Sequence, residues 1–157
     1  MNTKTKYEVI MSRKENAKRW LTKYIQTNFN GNQRMFGHTF DAHIGKSIDY
    51  LRDCCLLRDK AAASCFFGSR ATVEALIRTT LLDEYNLDDI ALWLTMSSAD
   101  RTLVVSLEFD EDIGFGFCRE GYKLRFRKTR KIIIVLRKQV TGNGFFVQTA
   151  YPSVRKI

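Results

Sequence analysis

The chain has 157 residues, 45% of them apolar, and a formal net charge of +9. That is enough chain to bury one full hydrophobic core, and no run approaches the roughly 18 apolar residues of a membrane-spanning helix. The opening MNTKTKYEVIMSRKEN holds no apolar stretch of signal-peptide length before its charges, so export is expected only as part of something larger.

In chain order, Ser12 and Glu15 have the spacing of a capping box. Trp20, Leu21, Tyr24, Ile25 and Phe29 then recur at helical intervals up to the Asn30-Gly31 stop, which predicts a first helix. A linker with Gly31, Asn32 and Gly37 leads into FGHTFDAHIGKS. A second helix is predicted after Ser47 as its N-cap, through IDYLRDCCLLRD, and AAASCFF reads as a strand. Ser69 should cap a third helix with Val73, Leu76, Ile77 and Leu81 inward. Asn86 should open a fourth, LDDIALWL, ended by the polar SSAD.

From residue 102 the period changes to two. TLVVSLEF, GFGFC, YKLRFRK, KIIIVLRK and FFVQTAY are strand candidates separated by turn residues. YKLRFRK puts Lys123, Arg125 and Arg127 on one face. IIIVL does not alternate and is expected to be a central strand covered on both faces. Thr149 and Tyr151, two apart, should present both hydroxyls to one side. Helices first and an antiparallel meander second make an α+β domain.

The charge is segregated along the chain. Lys4, Lys6, Arg13, Lys14, Lys18, Arg19, Lys23 and Arg34 cluster early, and a second basic run spans residues 119–138. Between them lies an acidic stretch from Asp83 to Asp112. Such separation steers polyanions, nucleic acid above all. Cys54, Cys55, Cys65 and Cys118 have no CxxC spacing and lie in apolar runs far from His38 and His43. They read as buried thiols, so no metal, cofactor or essential disulfide is expected.

RNA can be cleaved without a metal. A base takes the 2′-hydroxyl proton, donors hold the phosphorane-like transition state, and an acid assists the leaving oxygen. An imidazole with a pKa of about 6.5 suits the base, and Lys, Thr and Tyr suit the nonbridging oxygens. His43, Lys46, Thr149 and Tyr151 supply those types, although a lone histidine is ordinarily structural and a Thr–Tyr strand pair ordinarily plain surface.

The order of local blocks carries more. GHTFDAHIGKS, AAASCFFGSRATVEALI, NLDDIALWL, RTLVVSLEF with GFGFCREG, KIIIVLRK and FFVQTAYP together resemble, over residues 36–152, one bacterial family. It is the ribonuclease-A-like C-terminal toxin domain of contact-dependent growth inhibition and other polymorphic toxin proteins, and the HIGK and TAYP blocks are the most specific parts. The resemblance implies a pancreatic-ribonuclease-like fold, helices on a curved antiparallel sheet, without that protein's disulfides. It implies a toxin domain at residues 35–157 behind a basic helical segment at 1–34. It also implies export within a larger effector, metal-independent cleavage of RNA (bulk RNA or a tRNA loop) in the target-cell cytoplasm, and a cognate immunity protein as partner, which the segregated positive charge leads us to expect is acidic.

Carried over by position, the family's catalytic histidine falls on His43 and its sheet-borne Thr and Tyr on Thr149 and Tyr151. One position departs: the family's arginine eleven residues after that histidine is Cys54 here, which has neither the charge nor the donor fork. Arg58, on the same helical face, and Lys46 are the expected substitutes, and Arg52 is less well placed. Arg70, Lys123, Arg125, Arg127 and His38 are expected RNA contacts, with a structural hydrogen bond as the plainer role for His38. The alternative that Cys54 favours is a catalytically silent RNA- or immunity-binding module of the same fold.

Overall fold

The computed structural model describes residues 5–96, 100–140 and 142–155. Five helices and six strands alternate only once, at the first strand: α1 (Lys6–Asn28), α2 (Thr39–His43), α3 (Ile48–Leu57), β1 (Ala62–Phe66), α4 (Arg70–Leu82), α5 (Glu84–Thr95), then β2 (Thr102–Glu108), β3 (Gly114–Glu120), β4 (Lys123–Thr129), β5 (Lys131–Lys138) and β6 (Phe145–Pro152). The class is α+β with antiparallel strands, as the change of period predicts.

The first helix begins earlier than expected. Its capping box is Thr5 with Glu8: the Thr5 hydroxyl accepts from the Glu8 N–H at 3.2 Å, and the Glu8 carboxylate accepts from the Thr5 N–H at 2.9 Å. Ser12 and Glu15 lie inside the helix, where their spacing has no end to cap. The linker after it holds more structure than its glycines suggest, a 3-10 turn at Gln33–Phe36 and the whole of α2. Ser47 caps α3 through the Tyr50 N–H at 3.1 Å. Ser69 precedes α4, but its hydroxyl meets that of Thr72 rather than a backbone N–H. Asp83, not Asn86, caps α5; Asn86 is buried and donates to the carbonyls of Thr80 and Ser106, both at 2.9 Å. Ser97 and Ser98 of the predicted helix stop, and Thr141 of the last turn, lie outside the described residues.

One core joins helices and strands. Leu21, Ile25 and Phe29 of α1, Val73, Ile77 and Leu81 of α4, and Ile90 of α5 are fully buried with Ile132, Ile134, Leu136, Phe145 and Val147. Burial of each such side chain contributes about 1.5–3 kcal/mol. The basic segment before residue 34 therefore shares the core of the rest. Tyr24 fixes its register: the phenol donates to the Phe145 carbonyl at 2.9 Å and accepts from the Phe145 N–H at 3.2 Å.

The strands do not form the expected consecutive meander. They divide into two three-stranded sheets, β1-β3-β4 and β2-β5-β6, so β2 pairs with β5 and not with its neighbour β3. The apolar β5 is central in its sheet, but only one of its faces is fully covered. Ile132, Ile134 and Leu136 are buried, while Ile133 and Val135 face a partly open side.

The last strand is irregular at one residue. Val135 of β5 pairs with Thr149, but Leu136 pairs with Val147, which leaves Gln148 as an extra residue in a bulge. The core face of β6 therefore runs Phe145, Val147, then Ala150 and Pro152, and the odd-numbered run is broken. The Gln148 carbonyl accepts from the His38 N–H at 3.2 Å. Gly37 sits against it with φ 52° and ψ −129°, backbone space closed to side chains. A Cβ at Gly37 would run into the carbonyl oxygens of Val147 and Gln148. Gly37→Ala is therefore expected to destabilise the fold by on the order of 1–3 kcal/mol, read as a lowered urea midpoint with an unchanged slope.

Candidate active site

His43 ends α2 four residues after Thr39, so the two side chains lie on one face of that short helix. Each reaches a different sheet. The buried Thr39 hydroxyl accepts from the Ala150 N–H of β6 at 3.0 Å, and the His43 ring meets the Ser64 carbonyl of β1 through Nδ1 at 2.9 Å. A carbonyl can only accept, so Nδ1 carries the proton and the neutral ring presents Nε2 as a lone pair. Gly45, at φ 70°, turns the chain immediately afterwards.

A cleft of about 360 Å³ lies where the edge of one sheet, β1, approaches the edge of the other, β6. Its walls are His43, Ala62, Ala63 and Ser64 on one side, and Ile133, Thr149, Tyr151, Pro152, Ser153, Val154 and Arg155 on the other. The His43 and Tyr151 ring centroids are 5.7 Å apart. The bulge explains how the two hydroxyls arrive. Thr149 pairs across the sheet with Val135 and Tyr151 with Ile133, on the open face of β5 rather than the core face. Among the described residues no carboxylate lines the cleft.

Burial pushes the His43 imidazole below its usual pKa. The hydrogen bond to Ser64 opposes this, while the positive charges of Lys60 and Lys46 add to it. A larger groove of about 560 Å³ runs between α1 and α5, but its Lys14 and Asp88 pair with each other and it contains no imidazole.

The other expected residues are distributed more widely. The Lys46 ammonium lies over the Tyr50 ring, 5.0 Å from its centroid, and its backbone N–H reaches Cys65 Sγ at 3.4 Å. Arg58 is exposed at the C-cap of α3. Neither lines the cleft. Cys54 is buried in α3, and all four cysteines are buried free thiols. His38 is exposed and holds the bulge through its backbone. The Arg70 guanidinium lies over the Phe40 ring at 5.2 Å. Lys123 and Arg125 line a separate shallow depression on β4, where Arg125 and Arg127 both pair with Glu120. Sequence reasoning missed Thr39, Ser64 and Arg155. A signal for Arg155 was present, since TAYPSVR continues the spacing of two from Thr149 and Tyr151 through Ser153 to Arg155.

A family described as "Bacterial CdiA-CT RNAse A domain" matches residues 37–152. The chain belongs to this family. Comparison with solved structures finds a CdiA-CT/CdiI complex from Y. kristensenii, 23% identical, with a TM-score of 0.62, covering 74% of this chain and 99% of that one; the likeness confirms the fold. Comparison with curated protein sequences gives no match. The His43 geometry makes its own prediction for this CdiA-CT domain. Because burial lowers the His43 pKa, an NMR titration of the ring should have its midpoint below the usual value of about 6.5.

Proposed function

We propose that the cleft is the active site of a metal-independent endoribonuclease, the toxic domain of an exported CdiA-type effector that acts in the target-cell cytoplasm. The observation that carries this reading is His43, tied through Nδ1 to Ser64 and sharing one cleft with the Thr149 and Tyr151 hydroxyls. Nε2 takes the 2′-hydroxyl proton of the substrate, and the freed oxygen attacks phosphorus. The bond to the 5′ oxygen breaks, giving a 2′,3′-cyclic phosphate and a 5′-hydroxyl that takes its proton from solvent. Thr149 and Tyr151 donate to the nonbridging oxygens as charge builds there. Burial, aided by the field of Lys60 and Lys46, favours the neutral form of the base.

The family name supports ribonuclease activity, and the structural neighbour was solved with CdiI, which supports an immunity protein as partner. An acidic partner laid over the cleft would meet Arg155, Lys46 and Lys60, and its association should be fast and salt-sensitive. The second reading, a silent binding module, draws on Cys54, where the family pattern has an arginine.

Purified protein incubated with total RNA in EDTA separates the two. The enzyme leaves cyclic phosphate ends; the module gives a gel shift without cleavage. His43→Ala should lower cleavage by about 10²–10⁴-fold with the melting temperature retained. Thr149→Ala and Tyr151→Phe should lower it less. The acid limb of the kcat/KM profile should fall below pH 6.5, with the histidine. A fully active His43→Ala protein would sink the assignment.

A further inference from the structure

We propose that Arg155 is the phosphate-binding cation of the cleft, in place of the family's arginine at Cys54. The proposal rests on the ribonuclease reading of the site and adds a residue to it. Past Pro152, where β6 ends, the backbone stays anchored for two more residues. The Ser153 N–H donates to the Lys131 carbonyl at 2.8 Å, and Val154 is buried. Arg155 therefore leaves an anchored backbone with an exposed side chain on the rim of the cleft that holds His43, Thr149 and Tyr151.

Several other cations are committed elsewhere. Arg125 and Arg127 share Glu120, Arg119 faces Asp59, Arg130 faces Asp112, and Lys14 and Lys18 hold Asp88. Lys46 and Arg70 lie over aromatic rings. Among the described residues Arg155 makes no ion pair, and it is the only Lys or Arg that lines the cleft. A guanidinium presents a planar fork of donors that matches two nonbridging oxygens of a phosphodiester. No carboxylate among the described residues that line the cleft competes with the phosphate for it.

The test uses a short fluorogenic RNA in EDTA and inorganic phosphate as a binding probe. Arg155→Ala should lower kcat/KM by about a hundredfold or more with an unchanged melting temperature, Arg155→Lys should fall between, and low millimolar guanidinium should restore part of the Arg155→Ala rate but none of the His43→Ala rate. Phosphate should shift the His43 ring signals, with an affinity about tenfold weaker in Arg155→Ala. Wild-type kcat/KM and phosphate affinity in Arg155→Ala overturn the proposal, as does a loss that Arg58→Ala produces and Arg155→Ala does not. If the unaltered protein cleaves no RNA, the ribonuclease reading fails, and the phosphate titration still decides whether Arg155 binds the anion.

Discussion

The site depends on one extra residue in β6. With regular alternation, Phe145 and Val147 in the core would carry Thr149 and Tyr151 into the core after them. The bulge at Gln148 reverses the phase, so Ala150 and Pro152 turn inward and the two hydroxyls turn to the cleft. A bulge leaves backbone groups unpaired and needs support. Here the Gln148 carbonyl takes the His38 N–H, and Gly37 has no side chain to block the approach. The segment just before α2 thus exists in this shape because β6 is irregular opposite it.

The same short helix then closes both sheet edges. Unpaired strand edges leave backbone donors and acceptors to be satisfied. Thr39 satisfies the Ala150 N–H on β6 and His43 the Ser64 carbonyl on β1. Edge protection and the geometry of the candidate site are one arrangement. The bond that covers a β1 carbonyl also selects the histidine tautomer with Nε2 available, and the helix that delivers it is fixed to the strand bearing Thr149 and Tyr151. The imidazole can be half-buried, and so kept neutral, because its other nitrogen already has a partner.

Charge behaves differently in space than along the chain. The basic start and the acidic middle meet where Lys14 and Lys18 of α1 hold Asp88 of α5, and the alternating basic face of β4 is answered by Glu120 one turn away. Part of the segregation that suggested a directed field is internal pairing. What was legible in the sequence was local: the helix periods, the Ser47 cap, the period-two strands, and the HIGK and TAYP blocks. The division into two sheets was not legible, because consecutive candidates such as TLVVSLEF and GFGFC carry no mark of whether they pair with each other. The bulge was hidden too, since FFVQTAY alternates well enough to read as regular. Thr39 was passed over because its partner is a backbone group 111 residues away.

The buried position of Cys54 bears on the proposed phosphate contact. Cys54 lies on the side of α3 that packs against β1 and β3, where the Arg119 guanidinium of β3 already donates to the Cys55 carbonyl and faces Asp59. A second guanidinium at 54 would be drawn out of water beside a like charge, and a buried cation without a partner is costly. A thiol fits that space as a small apolar group. In this chain, then, the helix following the HIGK block is bound into the packing of the first sheet, and the cation we propose for the cleft comes from the other wall. That wall is the end of β6 and the residues just past it, where the spacing of two from Thr149 ends on Arg155.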